Sequence, residues 1–264
     1  MYDNSFRLPS NVYCETTISV KHYTDNLFCF CITRPKGFRF RSGEFVMLGL
    51  MVDGKHISRA YSIASPCWDD KLEFLSIKVD NGRLTSHLKN IKCGDNILLN
   101  KKSTGTLVLD ALIPGERLYL FSTGTGVAPF ASLIRDPDTY EQFNEVIITH
   151  TCRSVAELQY GLDVVKNIYQ NDILKEVVGN KLKQYTTVTQ EDYLYKGRIT
   201  DQILSGEFYQ NTGMSPLNFN SDRAMICGSP DMIVDMKKIL ISHGFIEGSN
   251  SRPGTFVIER AFAR

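Results

Sequence analysis

The sequence has no run of about 18 apolar residues, the length that a membrane-spanning helix requires. Its opening residues, Met1 to Arg7, also lack the apolar stretch of a secretory signal peptide. Nor is there an excess of charge, because 30 basic residues face 29 acidic ones. A balanced chain gives no electrostatic reason to bind nucleic acid. We therefore expect a cytoplasmic protein with no membrane insertion and no nucleic-acid partner.

The seven cysteines include no pair with the spacing of a zinc or iron–sulfur site. We expect no metal site, so any redox chemistry must use an organic cofactor. Disulfides are also unexpected in the cytoplasm. Cys29 and Cys31 lie on one face of a predicted strand, where small buried thiols are common.

The length of 264 residues suits two domains, and the chain changes character near residue 115. Before that point, short apolar or alternating runs are separated by turn signals such as Asp53-Gly54, which predicts an antiparallel barrel over residues 1–114. The predicted strands are Val12 to Val20, Leu27 to Thr33, Phe45 to Val52, Ala60 to Ala64, Leu72 to Val79 and Asn96 to Asn100, with a short helix at Thr85 to Ile91.

From residue 115 to residue 264, predicted strands alternate with predicted helices. This alternation indicates an α/β domain with a parallel sheet, in which ligands lie beyond the carboxyl ends of the strands. The strands are expected at Leu118 to Phe121, Val146 to Ile148, Tyr185 to Val188, Ala224 to Cys227 and Thr255 to Ile258, and helices at Pro129 onward, Ala156 to Asn171 and Asp231 to Ser242. No internal repeat or low-complexity tract is present.

One barrel strand carries an unusual set of side chains, Arg59-Ala60-Tyr61-Ser62. Alternation along a strand places Arg59 and Tyr61 on one face and Ser62 on the other. A flavin nucleotide would use a guanidinium for its phosphate, a ring for stacking and a hydroxyl for a ring nitrogen. An ordinary half-buried strand explains the same residues equally well.

Two glycine turns follow strands of the second domain. The first is Thr123-Gly124-Thr125-Gly126 and the second is Cys227-Gly228-Ser229-Pro230. Glycine allows a sharp turn and close approach to a ligand, and each turn leads into a helix. Such turns suit a pyrophosphate or a nicotinamide, although many tight turns use glycine for geometry alone. Two of them in one sheet favour a dinucleotide site.

These motifs, together with Gly82-Arg83-Leu84-Thr85-Ser86-His87-Leu88 and the chain end Glu259-Arg260-Ala261-Phe262, stand in the order typical of one family. Over residues 10 to 264 the chain resembles the bacterial ferredoxin (flavodoxin):NADP reductases. The resemblance implies a six-stranded antiparallel FAD barrel followed by an NADP-binding α/β domain. It also implies hydride transfer from NADPH to flavin N5 and release of single electrons to ferredoxin or flavodoxin. We expect a monomer.

The resemblance also implies roles for individual residues. Arg59 would bind the FAD pyrophosphate, Tyr61 would stack on the isoalloxazine, and Ser62 would lie near flavin N5. The other implied FAD contacts are Ala60, Ser76, Ile77, Lys78, Val79, Gly82, Leu84, Thr85, Ser86 and Thr125, with Ala261 and Phe262 returning from the chain end. The implied NADP contacts are Thr123, Gly124, Thr125, Gly126, Arg153, Arg198, Cys227, Gly228, Ser229 and Pro230. Ser62, Cys227 and Ala261 are the implied catalytic residues.

Three positions depart from relatives of the family. Ala261 replaces the terminal tyrosine of the plastid enzymes, and Ile233 replaces a plastid glutamate, so a carboxylate proton relay is not expected there. Gln190 replaces an arginine that commonly helps to hold the 2′-phosphate of NADP. Arg198 is retained, and Arg153 and Lys196 are further candidates for that phosphate.

Two other functions stay open at this stage. An NADH-preferring flavin reductase would serve an oxygenase through a separate ferredoxin, and a flavin-binding redox sensor would need no intact dinucleotide turns. The segment Lys36 to Arg41 alternates cations with aromatics and could attract an acidic carrier protein. A basic turn with buried phenylalanines is the simpler interpretation of that segment.

Overall fold

The computed structural model describes residues 10–79 and 82–260, which form two successive sheets. The first sheet is antiparallel and has the strand order β4-β3-β6-β1-β2-β5. Its strands are β1 (Val12–His22), β2 (Leu27–Thr33), β3 (Phe45–Val52), β4 (Lys55–Ser62), β5 (Lys71–Ile77) and β6 (Asn96–Thr104).

The first sheet curls around a core of its own. Alternate side chains such as Phe30, Leu48 and Phe74 point inward and are fully buried, as the period of two in a half-buried strand requires. The end strands β4 and β5 approach each other where the Ala64 N–H donates to the Glu73 carbonyl, at 2.8 Å. The short helix α1 (Thr85–Leu88) adds to this core through Leu88, which is buried.

Strand β4 begins earlier than the sequence predicts, at Lys55 rather than Ala60. Asp53 and Gly54 both have positive φ, 48° and 72°, the conformation of a two-residue hairpin turn. Pairing therefore starts at once, with Val52 opposite Lys55. The hairpin fixes the register of the whole strand that carries Arg59 to Ser62.

The second sheet is parallel, and its strand order is β11-β10-β7-β8-β9. Its strands are β7 (Arg117–Thr123), β8 (Glu145–Cys152), β9 (Leu182–Val188), β10 (Asp222–Gly228) and β11 (Phe256–Arg260). The helices around it are α2 (Ala128–Leu133), α3 (Pro137–Gln142), α4 (Gln159–Gln170), α5 (Asp172–Val178), α6 (Ile199–Ser205), α7 (Glu207–Thr212) and α8 (Pro230–Ser242). The predicted fold class is confirmed.

One predicted helix is interrupted. Instead of a single helix from Ala156 to Asn171, a 3-10 turn at Ala156–Leu158 precedes α4, which ends at Gln170. Asn171 then caps α5, because its side-chain oxygen accepts a bond from Leu174 N–H at 3.0 Å. The helix at residue 85 also stops early, at Leu88.

The two sheets share an apolar cluster. Leu27, Ala64 and Leu75 of the barrel belong to the same buried group as Val127 and Ala128 of the second domain. The turn that follows β7 is therefore packed against the barrel. Among the described residues, none of the helices is long and apolar enough to span a bilayer.

Candidate active site

The two glycine turns lie side by side in the structure. They follow β7 and β10, which are neighbours at the point where the strand order reverses, the usual ligand position in such sheets. A Cβ on Gly126 would lie 2.2 Å from the Cys227 carbonyl oxygen, and one on Gly228 would lie 2.2 Å from Thr123 Oγ1. Both glycines are thus required for the turns to meet.

The outer part of the first turn is open. Gly124 has φ of +53° and is exposed, and a Cβ there would meet nothing within 4 Å. In the second turn, the Ser229 N–H donates to Thr123 Oγ1 at 2.8 Å, while Ser229 Oγ caps α8. The predicted contacts Thr123 to Gly126 and Gly228 to Pro230 therefore form one cradle, whose open backbone fits a dinucleotide.

A buried histidine is hydrogen-bonded to the first turn of this cradle. His150, on β8, is 1% exposed, and its Nε2 lies 2.9 Å from the Gly124 carbonyl oxygen. Burial lowers the pKa of His150 to about 4, so the ring is neutral at pH 7. Nε2–H is then the donor to Gly124, and Nδ1 has no partner among the described residues. The contact holds the positive φ of Gly124 in place.

The buried histidine should make the protein sensitive to acid. Because the folded-state pKa of His150 lies below its usual value of 6.5, its contribution to stability is full above pH 6.5 and is lost as pH falls toward 4. We expect the parent to lose about 2 to 3 kcal/mol more than His150→Gln between pH 7.5 and 4.5. Urea unfolding at both pH values measures this difference in stability, with His243→Gln, at an exposed histidine, as the control. Equal losses in parent and His150→Gln would contradict it.

Strand β4, which carries Arg59 to Ser62, lies at one end of the first sheet. Arg59 is exposed and donates only to the Ser58 carbonyl among the described residues. The Tyr61 hydroxyl lies 3.1 Å from Ser76 Oγ, and its ring packs edge-on against Phe74 at 6.4 Å. A reachable cation beside a fixed aromatic ring fits the phosphate and ring of FAD.

Several other residues predicted to contact FAD lie around the start of α1, whereas Ser76 and Ile77 lie at the end of β5. A Cβ on Gly82 would lie 2.2 Å from Thr85 Oγ1, and Ser86 N–H donates to the Gly82 carbonyl at 3.1 Å. Leu84 is buried, whereas Val79 is exposed. Ala261 and Phe262 lie outside the described residues. The roles assigned to this segment stay predictions.

Cys227 is packed rather than exposed. Its side chain is 1% exposed and belongs to the apolar cluster shared by the two domains. Burial raises the pKa of the Cys227 thiol well above its usual value, so the group is a neutral thiol. A role beside the nicotinamide stays a prediction, and it would depend on shape rather than on charge.

Glu259 belongs to the chain-end motif, but the family resemblance implied no role for this residue. It pairs in register with Cys227 across β10 and β11, and its Oε1 accepts a bond from Thr106 N–H at 3.0 Å. Oε2 is buried without a partner in the described chain. Burial raises the pKa of Glu259 to about 7, so its carboxyl can hold a proton near neutral pH. By contrast, Ile233 packs in the core of the second domain.

The candidate 2′-phosphate residues lie on two loops that are bonded together. Gln190 N–H donates to the Arg153 carbonyl and Thr189 N–H to the Cys152 carbonyl, both at 3.0 Å. Arg198 immediately precedes α6. Both guanidiniums are exposed, and neither has an ion-pair or hydrogen-bond partner within residues 10–79 and 82–260. Lys196 instead pairs with Asp192 at 2.8 Å.

Comparisons with known proteins agree with both halves of the site. A family model for an oxidoreductase FAD-binding domain matches residues 14–107, and one for an oxidoreductase NAD-binding domain matches residues 120–238. These matches and the fold define a two-domain flavoprotein oxidoreductase. The predicted combination of FAD with a nicotinamide dinucleotide is confirmed at this level.

Individual relatives narrow the class. The chain is 55% identical to the flavodoxin/ferredoxin–NADP reductase of Rhodobacter capsulatus, over 94% of this chain and 92% of the relative. It is 48% identical to the ferredoxin–NADP reductase of Pseudomonas aeruginosa, over 96% and 98%. The chain belongs to the ferredoxin/flavodoxin–NADP reductase family, as its motifs predicted.

A solved structure gives the same result for the fold. The ferredoxin NADP+ reductase from Neisseria gonorrhoeae, with bound FAD and NADP, superposes with a TM-score of 0.87 and 28% identity. The match covers 96% of this chain and all of that one.

Proposed function

We propose that this protein is an FAD-dependent reductase that takes electrons from NADPH and passes them to a small one-electron carrier, a ferredoxin or a flavodoxin. The observation that carries the proposal is the contact between the Gly124 turn and β5, which puts a dinucleotide cradle against the strands of Tyr61 and Ser76. When bound, FAD takes two electrons together and releases them singly.

The chain's own residues would bind the two cofactors, align them and hold a proton. Arg59 supplies a charge-assisted contact for a phosphate, and the Tyr61 ring offers a face whose tilt is fixed by Ser76. Gly124 leaves room for the nicotinamide, while Ser62 presents a hydroxyl. Glu259 Oε2 can keep a proton because its carboxyl titrates near neutral pH.

An optical titration tests this function. We expect the purified protein to carry flavin absorption bands, and anaerobic NADPH to bleach them far faster than NADH does. A colourless protein that does not take up FAD would overturn the proposal. Faster bleaching by NADH would favour the reductase of an oxygenase, and no bleaching by either nucleotide would favour a redox sensor.

Arg198 should decide the choice of nucleotide. We expect Arg198→Leu to weaken NADPH binding about 10- to 100-fold, because one charge-assisted phosphate contact is worth roughly 1.5 to 3 kcal/mol. NADH, which lacks the phosphate, should bind as before. Binding constants from the same titration measure both effects, with exposed Lys166→Leu on α4 as control. An equal loss for NADH would remove Arg198 from the phosphate site.

The carrier is proposed to dock on the barrel surface between the segment that precedes β3 and strand β6. Arg39, Arg41, Lys101 and Lys102 line a shallow depression there, while Phe38 and Phe40 are buried in the barrel core. The phenylalanines thus belong to the core and the cations face outward, with Arg41 also paired to Glu44 and Asp110. Exposed cations attract an acidic partner over a distance of about 10 Å at 0.1 M salt. Reduction of an acidic carrier that does not slow with salt would exclude this surface.

The cytoplasmic location also stays a proposal. All seven cysteines are unpaired, which is the usual state of thiols in a reducing compartment.

A further inference from the structure

A cluster of three polar side chains joins the two domains outside the site described above. Arg135 follows α2, Glu73 lies on β5, and Tyr160 lies in the first turn of α4. Arg135 Nη1 donates to Glu73 Oε2 at 3.0 Å, and the Tyr160 hydroxyl donates to Glu73 Oε1 at 2.8 Å. Both oxygens of one barrel carboxylate are thus held by the other domain.

Arg135 uses the rest of its guanidinium on the backbone. Nη2 donates to the Ala64 carbonyl at 2.6 Å, and Nε donates to the Ala131 carbonyl at 2.8 Å. Ala64 is two residues beyond Ser62, and Ala131 lies in α2, which continues from the 3-10 turn Gly124–Val127. One rigid fork therefore contacts the backbone beyond each of the two candidate cofactor segments, which are Ser62 and the Gly124–Gly126 turn.

A second set of bonds reinforces the same junction. Ala64 N–H donates to the Glu73 carbonyl at 2.8 Å, and Glu73 N–H donates to Ser65 Oγ at 3.1 Å. Ser132, on α2, donates through Oγ to the Ser65 carbonyl at 2.7 Å. The backbone that follows Ser62 is therefore bonded to β5 on one side and to α2 on the other.

The charges of this pair are largely removed from water. The side chains of Arg135 and Glu73 are 16% and 14% exposed. Burying an ion pair adds little net stability compared with apolar packing, but it fixes geometry. A second ion pair between the domains, Lys21 with Asp163, leaves the lysine 59% exposed and touches neither cofactor segment. Of these two ion pairs, only the buried cluster is therefore placed to affect the alignment of the cofactor segments.

We propose that Arg135, Glu73 and Tyr160 form an interdomain clamp that sets the position of Ser62 relative to the Gly124–Gly126 turn. They are positioning residues, since they act through the backbone of Ala64 and through α2. The inference rests on the proposed function, in which these two segments hold the two reacting cofactors. A misplacement of about 1 Å between reacting groups can cost roughly 100-fold in rate, so a loosened clamp should lower the rate more than the affinity.

The test compares two identical changes. Arg135→Lys keeps the charge beside Glu73 but loses the fork that reaches Ala64 and Ala131. Arg117→Lys makes the same change at a buried pair inside one domain, where Arg117 Nε lies 2.7 Å from Asp222. Tyr160→Phe is a milder variant that removes only the hydroxyl on Glu73. All are measured as FAD-loaded proteins.

We expect Arg135→Lys to lower the limiting rate of flavin bleaching by NADPH about 10-fold and Tyr160→Phe to lower it about 3-fold, with NADPH affinity within about 2-fold of the parent. Hydrogen exchange provides a readout besides activity. Exchange should quicken in residues 62–66 and 124–131 of both clamp variants. In Arg117→Lys those segments and the limiting rate should stay as in the parent.

The clamp proposal would be overturned if Arg135→Lys kept the limiting rate of the parent. It would also be overturned if Arg117→Lys lowered that rate as much as Arg135→Lys does. If Arg135→Lys does not retain FAD, Tyr160→Phe decides by the same two measurements. If NADPH does not bleach the flavin of the parent protein, the proposed function is overturned instead, whatever the hydrogen-exchange data give.

Discussion

Ser62→Ala should slow the bleaching of the bound flavin by NADPH by roughly 100-fold while the protein keeps its FAD. In the described chain, Ser62 Oγ has no hydrogen-bond partner, so the hydroxyl is available to a ligand. Removing one donor aimed at developing charge commonly costs about 100- to 1,000-fold in rate. Binding should change little, because Arg59 and Tyr61 supply the other contacts.

Stopped-flow absorbance measures that rate, and the flavin-to-protein absorbance ratio measures FAD content. Ser58→Ala is the matched control, since Ser58 precedes Ser62 by two side-chain repeats of β4 and lies on the same face of the strand. Equal rates in Ser62→Ala and the parent would remove Ser62 from the reaction. Loss of FAD from Ser62→Ala alone would make it a binding residue instead.

Gly126→Val should abolish NADPH-dependent bleaching and destabilise the fold by about 3 kcal/mol. A Cβ at this position would lie 2.2 Å from the Cys227 carbonyl oxygen and 2.9 Å from Gly228 Cα. These are backbone atoms, so the two turns must separate. The cradle would then lose the close approach that joins its halves.

Urea unfolding and NADPH titration measure the two effects of Gly126→Val. Gly213→Ala is the control, because Gly213 has positive φ but open space around its Cβ position. It should lose about 1 kcal/mol through strain alone and keep the parental rate. A Gly126→Val protein with parental NADPH affinity would show that the turns need not touch.

Local patterns predicted the architecture because they depend on neighbouring residues. Alternation gave the barrel, continuous apolar runs gave the parallel strands, and Asp53-Gly54 marked the hairpin. The start of β4 at Lys55 was missed because its early residues are polar and partly exposed, so no alternation is visible. Pairing with β3 decides that boundary.

Residues that act across long distances in sequence were not predictable in this way. Glu259 gains its raised pKa only because β11 pairs with β10 and packs near Thr106. The register of β10 and β11, which places Glu259 opposite Cys227, was the signal that could have revealed Glu259 as a site residue. His150 and Arg135 likewise look ordinary until tertiary packing places them against Gly124 and Ala64.

The interdomain clamp has an optical consequence. The indole N–H of Trp68 donates to the Arg135 carbonyl at 3.1 Å, and Trp68 is the only tryptophan of the chain. With no other indole in the chain, the tryptophan emission of this protein comes from one side chain, which is bonded to the clamp residue Arg135. The molecule therefore contains its own reporter for movements between flavin and nucleotide domains, and no label has to be introduced.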